Sequence, residues 1–447
     1  MLKYVVALLL LLFFSTAQAT TDFVATDPGV RGGDPGAGGP LPGLTPNELA
    51  FFNAGLQAFV KIVTVPEGLG PRYNLDNCGE CHSQPSIGGS SPANNPQIDA
   101  ATRSGAVNTV PSFIKNHGPV REVRVVLSPD GTPDGNVHTL FVISGRSDAP
   151  GCDISQEDFE TLYANGNIIF RIPTPIFGDG LIEAIADKDI LANQAANAAI
   201  KTTDGIGGRP NRVNGSVNRS GNDGTITRFG WKAQNKSMLI FAGEAYNAEM
   251  GVTNELFPNE RYEDAQCIFN GIPESETNFD STSLTDMSSD PVRFSHFMRM
   301  LAPPQPASDD YLPGIPEGRQ LFVDIGCALC HTPSFTTQTS SIATMSNKQV
   351  NLYSDLLIHH MGPKLADGVS QGIAGGDEFR TAPLWGLGQR IFFLHDGRTK
   401  DLDKAIRQHK SGSDGVYPAS EANTVIKNYK DLSEEQKQYL LNFLRSL

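Results

Sequence analysis

The chain has 447 residues, 39% of them hydrophobic, a formal net charge of −14 and a pI near 5.1. That length allows two or three domains, and the acidity argues against a nucleic-acid partner. Six cysteines are present, and their spacing carries most of the functional information.

Met1-Leu2-Lys3-Tyr4 and an apolar run from Leu8 to Phe14 end in Ser15-Thr16-Ala17-Gln18-Ala19. A charged start, a hydrophobic centre and an A-x-A site predict a signal peptide over residues 1–19, cleaved near Ala19. The run is too short for a transmembrane span, and no second one follows. A soluble protein exported to the periplasm is expected. Residues 20–44, rich in Gly and Pro, are expected to wrap over a domain without regular structure. Thr45-Pro46-Asn47-Glu48 reads as a capping box with Pro at the first helical position. The helix it opens places Leu49, Phe52, Leu56, Phe59 and Val60 on one face and ends before Gly68.

Cys78-Gly79-Glu80-Cys81-His82 follows, and Cys327-Ala328-Leu329-Cys330-His331 repeats it. Both read C-x-x-C-H, the attachment signature of a c-type haem. Two thiols add across the two vinyl groups of one porphyrin, and the next residue offers an imidazole to the iron. On one helical turn the first cysteine and the histidine share a face. A zinc site would need two further ligands near each pair, and none is close in sequence. A thioredoxin-type pair would not need the trailing histidine. Two covalently bound haem c groups are expected, with His82 and His331 as proximal iron ligands. Export agrees, because c-type haem is attached outside the bacterial cytoplasm.

Val120 to Val126 alternates like a strand, Ser128-Pro129-Asp130-Gly131 makes a turn, and Val137 to Ile143 reads as the returning strand. The two cysteines outside the motifs, Cys152 and Cys267, predict a disulfide in an oxidising compartment, with two buried free thiols as the alternative. Residues 203–224 read as a long loop and Trp231 to Met250 as a helix. Asp309 to Pro316 is a boundary, after which Pro316 to Phe322 forms a short helix running into the second motif. Ser433 to Gln436 is another capping box, followed by a stripe of Tyr439, Leu440, Phe443, Leu444 and Leu447. The fold expected is mainly α: two cytochrome c-like haem domains with long loops and a small β insertion. The N-terminal haem domain would span 45–308, with β-hairpin and helical insertions, and the C-terminal cytochrome c domain 309–447.

Longer strings follow the second motif: Leu352-Tyr353-Ser354-Asp355-Leu356-Leu357, Met361-Gly362-Pro363, Phe379-Arg380-Thr381-Ala382-Pro383-Leu384-Trp385-Gly386-Leu387-Gly388, and Leu394-His395-Asp396-Gly397-Arg398. With Arg228-Phe229-Gly230-Trp231 and Phe297-Met298-Arg299, they resemble the bacterial di-haem oxidoreductase family, also labelled peroxidase or thiol oxidoreductase. That family is similar, more distantly, to di-haem cytochrome c peroxidases. The thiol label fits least, since Cys152 and Cys267 lack C-x-x-C spacing.

The resemblance implies a sixth ligand for the second iron. In di-haem peroxidases an H-D-G segment precedes a helix whose residue fourteen places on ligates that iron. It is typically methionine there, and tyrosine in a relative that matures methylamine dehydrogenase. Counted from His395, that position is His409, whose alternative reading is a surface histidine near a helix end. A bis-histidine haem would have a lower potential than a histidine–methionine one. His359, His360 and Met361 are further candidates, whereas His395 is expected to fix its loop. Arg380 and Arg398 are expected either to pair with haem propionates or to be solvated. At the first haem, His117 and His138 are weaker candidates for a sixth ligand. An iron open there would suit peroxide, with Glu122 and Arg121 as acid–base or charge-stabilising groups, or simply as exposed strand residues. Trp231 is either an electron relay between the porphyrins or a core residue.

The expected function is an exported di-haem oxidoreductase. Electrons from a periplasmic donor, a small cytochrome or cupredoxin, would enter at the C-terminal haem and reduce hydrogen peroxide at the N-terminal one. A non-catalytic electron carrier and an oxygenase or protein-modifying enzyme remain the alternatives.

Overall fold

A computed structural model describes residues 23–212, 225–262 and 264–447. The expected signal peptide lies outside them, as does 213–224 of the expected loop. Helix outweighs strand, 32% against 11%. No helix among the described residues is long and apolar enough to cross a membrane.

Helices α1 (Pro46–Val60), α2 (Met238–Met250) and α3 (Asp290–Met300) stand around the first motif. Thr45 and Glu48 close the expected capping box at the start of α1. Its buried residues are Phe52, Gly55 and Phe59, while Leu49 and Val60, expected on the same face, are exposed. The contact stripe is narrow because α1 meets α3 backbone to backbone. A Cβ on Gly55 would lie 2.2 Å from the Arg293 carbonyl oxygen. Helix α2 begins seven residues later than the expected Trp231 start. Residues 231–237 form a turn, with Ala233 at φ 51°, and the Ser237 hydroxyl caps the helix by accepting from the Ile240 amide.

Around the second motif stand α4 (Ile315–Asp324), α5 (Leu402–Gln408), α6 (Asn423–Asp431) and α7 (Glu434–Ser446). Ser433 and Gln436 make the expected capping box, and α7 buries Leu440, Phe443 and Leu444. Here too a glycine admits the partner helix: a Cβ on Gly318 would lie 2.0 Å from the Tyr439 carbonyl oxygen.

The β insertion is a three-stranded antiparallel sheet. Strand β1 (Glu122–Val125) lies between β2 (Val137–His138) and β3 (Ile168–Arg171), with Val123 opposite both His138 and Phe170. The returning strand was expected to continue to Ile143. It breaks after His138, and Phe141–Val142 pairs instead with Arg72–Tyr73. Further along, β4 (Ile358–His360) pairs with β5 (Glu378–Arg380).

One core runs from Leu41 to Leu301 and also takes in Phe335, Val350, Leu352 and Trp385, from beyond the expected boundary at 309. A second core gathers Ile315, Phe322, Tyr429 and the buried face of α7. The segment from 23 to 44 crosses between them without regular helix or strand. The Ala25 amide donates to Glu434, Asp27 pairs with Arg445, and the Leu41 amide donates to the Met300 carbonyl. Cys152 and Cys267 are joined by a disulfide that spans 115 residues of chain.

Candidate haem sites

Each C-x-x-C-H motif faces a cavity. The first holds about 1100 Å³ of atom-free space and the second about 1380 Å³. His82 and His331 line them, and Phe59 and Phe322 pack beside these rings at 6.0 and 6.3 Å.

His82 Nδ1 lies 3.0 Å from the Gly89 carbonyl oxygen, and His331 Nδ1 lies 3.0 Å from that of Tyr353. His409 repeats the arrangement, its Nδ1 2.9 Å from the Ala405 carbonyl oxygen. A carbonyl only accepts, so Nδ1 carries the proton and Nε2 keeps its lone pair, as an iron ligand requires. Burial pushes His82 and His331 down to about 4, and lowers His409 too, so all three rings are neutral at pH 7. Burial also pushes the Cys78 and Cys327 thiols up to about 12. Thiols held neutral in this way are poor nucleophiles for thiol–disulfide exchange, which needs the thiolate. The residues present therefore fit a covalently held porphyrin.

In the second cavity His409 joins His331. It stands at the C-terminal end of α5, which Asp401 starts by accepting from the Lys404 amide at 3.0 Å. Leu402, Ala405, Val425 and Leu440 make most of the remaining wall apolar. His359 lines the cavity as well, but Asp355 at 2.9 Å and Glu421 at 2.7 Å engage both its nitrogens. His360 pairs with Asp377 at 3.0 Å. His395 stacks on Phe379 at 4.4 Å and meets Trp231 edge-on at 6.4 Å. Met361 is on the wall.

Arg380 is buried and faces this cavity. Its Nη1 donates to the Arg228 carbonyl at 2.7 Å, and its Nε has no hydrogen-bond partner among the described residues. Arg398 is elsewhere, held at the surface by Asp396 at 2.6 Å and the Lys364 carbonyl at 2.7 Å. The second guanidinium on the cavity wall is Arg390, whose pKa burial lowers to about 10.

The first cavity has His82 and no second histidine among its lining residues. His117 is exposed, 3.0 Å from Asn94, and His138 is held between Glu157 at 2.8 Å and Asp134 at 3.2 Å. Met298 shares a face of α3 with Phe294, whose ring edges Phe59 beside His82. Met250 Sδ sits 4.0 Å from Cys78 Sγ, and the Tyr246 hydroxyl donates to Asp290 at 3.0 Å.

Arg121 and Glu122 do line this cavity, yet both are engaged. Arg121 donates to the Asp396 carbonyl at 2.5 Å and lies 4.6 Å over the Phe170 ring. Burial would raise the Glu122 pKa, but Arg124 at 2.5 Å and the nearby Arg171 charge bring it below the ordinary value. The acid whose pKa is raised is instead Glu249 of α2, for which the sequence suggested no role. Burial, then repulsion from Glu122, pushes Glu249 up to about 8, and Asn74 donates to it at 2.6 Å. The available signal was a weak one, a second acid after Glu244 near the end of a helix that is mostly apolar.

Trp231 lines both cavities, its indole N–H donating to the Ile172 carbonyl at 2.8 Å. Two cavities, each with a neutral histidine beside a cysteine pair and one indole shared between them, define the frame of a two-centre redox protein. The chain belongs to the family described as "Di-haem oxidoreductase, putative peroxidase", which matches residues 123–447. Among solved structures it is similar to a MauG-like protein associated with microbial copper homeostasis, at 18% identity and a TM-score of 0.27. That match covers 38% of this chain and 55% of the other. It is also similar to the hydrazine synthase of Kuenenia stuttgartiensis, at 16% identity, a TM-score of 0.24, and 37% and 56% coverage. The chain thus spans little more than half the length of either. No curated protein matches.

Proposed function

We propose that the chain is an exported c-type oxidoreductase with two covalent haems, reducing a small oxidant, most simply hydrogen peroxide, at the first cavity. Electrons enter at the second cavity from a periplasmic small cytochrome or cupredoxin. Cys78, Cys81 and His82 hold one group; Cys327, Cys330, His331 and His409 hold the other. The observation that carries this reading is the asymmetry between the cavities. The second is lined by both His331 and His409, which could each ligate an iron held there, whereas the first is lined by one histidine, His82, and by Glu249, whose pKa is raised.

Bound haem supplies an iron that exchanges electrons and, where a coordination position is open, accepts a small oxidant. The chain's own part is proton supply, charge balance and separation of the two centres. Glu249 is neutral below about pH 8, so its O–H can donate to an oxygen of the oxidant. Glu122, clamped as a carboxylate by Arg124, raises the Glu249 pKa and keeps that proton in place. Arg380 and Arg390, on the wall of the second cavity, would pair with the acidic groups of a porphyrin bound there. Trp231 is the relay, since its indole alone of the proposed site residues lines both cavities.

Mixing the fully reduced protein with hydrogen peroxide in a stopped-flow instrument tests this. Rapid reoxidation of both haems, consuming one peroxide per two electrons, is expected. A reduced protein indifferent to excess peroxide would show that the first cavity does not perform this reaction.

A further inference from the structure

The Lys232 side chain, next to the relay, is wholly buried in an oxygen cage. Its Nζ donates to the carbonyls of Gly375 at 2.8 Å, Glu378 at 2.9 Å and Gly376 at 3.4 Å. Asp367 Oδ1 lies 3.1 Å away, and the Phe379 ring centre 4.0 Å away. Carbonyl and carboxylate oxygens gathered around one positive charge are what a protein offers a hard cation. Here the chain supplies the cation covalently. Burying an ammonium costs several kcal/mol unless its surroundings compensate, so packing alone would favour an apolar side chain. The cage joins two regions: the turn at 230–235, which carries the indole, and the segment 367–379, which ends in the Phe379 ring that stacks on His395. The same turn is tied again by the Arg380 amide, which donates to the Trp231 carbonyl at 2.9 Å, and by the Asn211 side chain, which donates to the Lys232 carbonyl at 2.7 Å.

We propose that the Lys232 ammonium is a positioning residue: a built-in cation that pins the Trp231 turn to the second haem module and so sets the indole between the cavities. The proposal rests on Trp231 being the relay, and the variants separate the two ideas. Asp367 keeps its bond to Arg171 at 2.7 Å when Lys232 is removed, so no carboxylate is stranded.

The test uses the haem-loaded protein and the rate of electron transfer from the second haem to the first after flash reduction. Lys232→Ala should slow that step several-fold, since electron transfer falls off as a displaced relay widens the gap between the two centres. The low-spin resonance of the His331 haem should not move. Methylammonium, small enough to occupy the emptied cage, should restore much of the rate and raise the melting temperature of Lys232→Ala but not of the parent. Lys232→Met, which fills the space without a charge, should be slow and indifferent to methylammonium. Trp231→Phe should be slow, also without rescue. If Trp231→Phe transfers electrons at the parental rate, the relay reading fails and this proposal with it. If Trp231→Phe is slow while Lys232→Met keeps the parental rate, the relay stands and the positioning role is refuted.

Discussion

The two cavities share one half and differ in the other. On the motif side, each histidine donates its Nδ1 proton to a backbone carbonyl, has a phenylalanine beside it, and lies next to a helix that crosses its partner at a glycine. In the rest of the lining, the second cavity has His409 among apolar residues, and the first has Glu249 with Asn74, Glu122 and Arg124. The common half is built from residues near each C-x-x-C-H. The divergent half comes mostly from elements farther along the chain, α2 and β1 at the first cavity and α5 at the second, and in the proposed reading this lets one attachment chemistry serve two tasks, electron transfer at the second cavity and reaction at the first.

The largest expected effect is on that divergence itself. Glu249→Gln keeps the size and the bond to Asn74 but cannot donate an acid proton, and should slow peroxide turnover by about 10²–10⁴-fold. The spectrum of the second haem should stay unchanged. Because the carboxyl is pushed up to about 8, it is neutral at pH 7, and turnover in the parent should fall as the pH rises past 8. Steady-state rates between pH 6 and 10 check this, and a flat profile would remove Glu249 from the reaction.

His409→Ala should make the cavities alike. The second haem should turn high-spin and bind carbon monoxide when reduced, while His409→Met should stay low-spin and rise in potential, because a thioether favours ferrous iron more than imidazole does. Spectroelectrochemistry of both variants reads the change. An unaltered second haem would pass the ligand role to Met361, since His359 is engaged on both nitrogens.

The disulfide belongs to the first core alone. Replacing Cys152 and Cys267 by serine should cost about 4–5 kcal/mol on the chain-entropy scale for a loop of this length. Unfolding followed separately at the two haems should show the first giving way earlier. Smaller still, Gly55→Ala and Gly318→Ala should each destabilise by about 1–3 kcal/mol, because a Cβ would meet backbone rather than a movable side chain. Denaturant midpoints measure both. Smallest is a contrast of arginines: Arg390→Leu should shift the midpoint potential of the second haem, and Arg398→Leu should leave it in place.

Legibility followed the range of the forces involved. The capping boxes at Thr45 and Ser433 and the helix that starts after Asp401 depend on residues within a turn or two and could be read directly, whereas the count to His409 came from the family resemblance. The pairing of Cys152 with Cys267 was legible because no other cysteines remained. The facing wall of the first cavity was not. Whether Glu122 or Glu249 holds the proton depends on Arg124 and Arg171, which the sheet and the cavity bring together. Arg398 stands in the H-D-G string, yet Asp396 holds it at the surface while Arg390 turns inward. The short strand β3 shows no alternation of buried and exposed residues, and it exists because β1 has a free edge for it. The returning strand breaks after His138 because Arg72–Tyr73 competes for Phe141–Val142.

The asymmetry between the cavities is tested most directly by the electron paramagnetic resonance spectrum of the fully oxidised protein. The account predicts one low-spin signal from the iron between His331 and His409, and one high-spin signal from the iron at His82. The high-spin signal alone should change when a small anion such as azide or cyanide is added. Two low-spin signals, both insensitive to such ligands, would contradict it and make the chain an electron carrier.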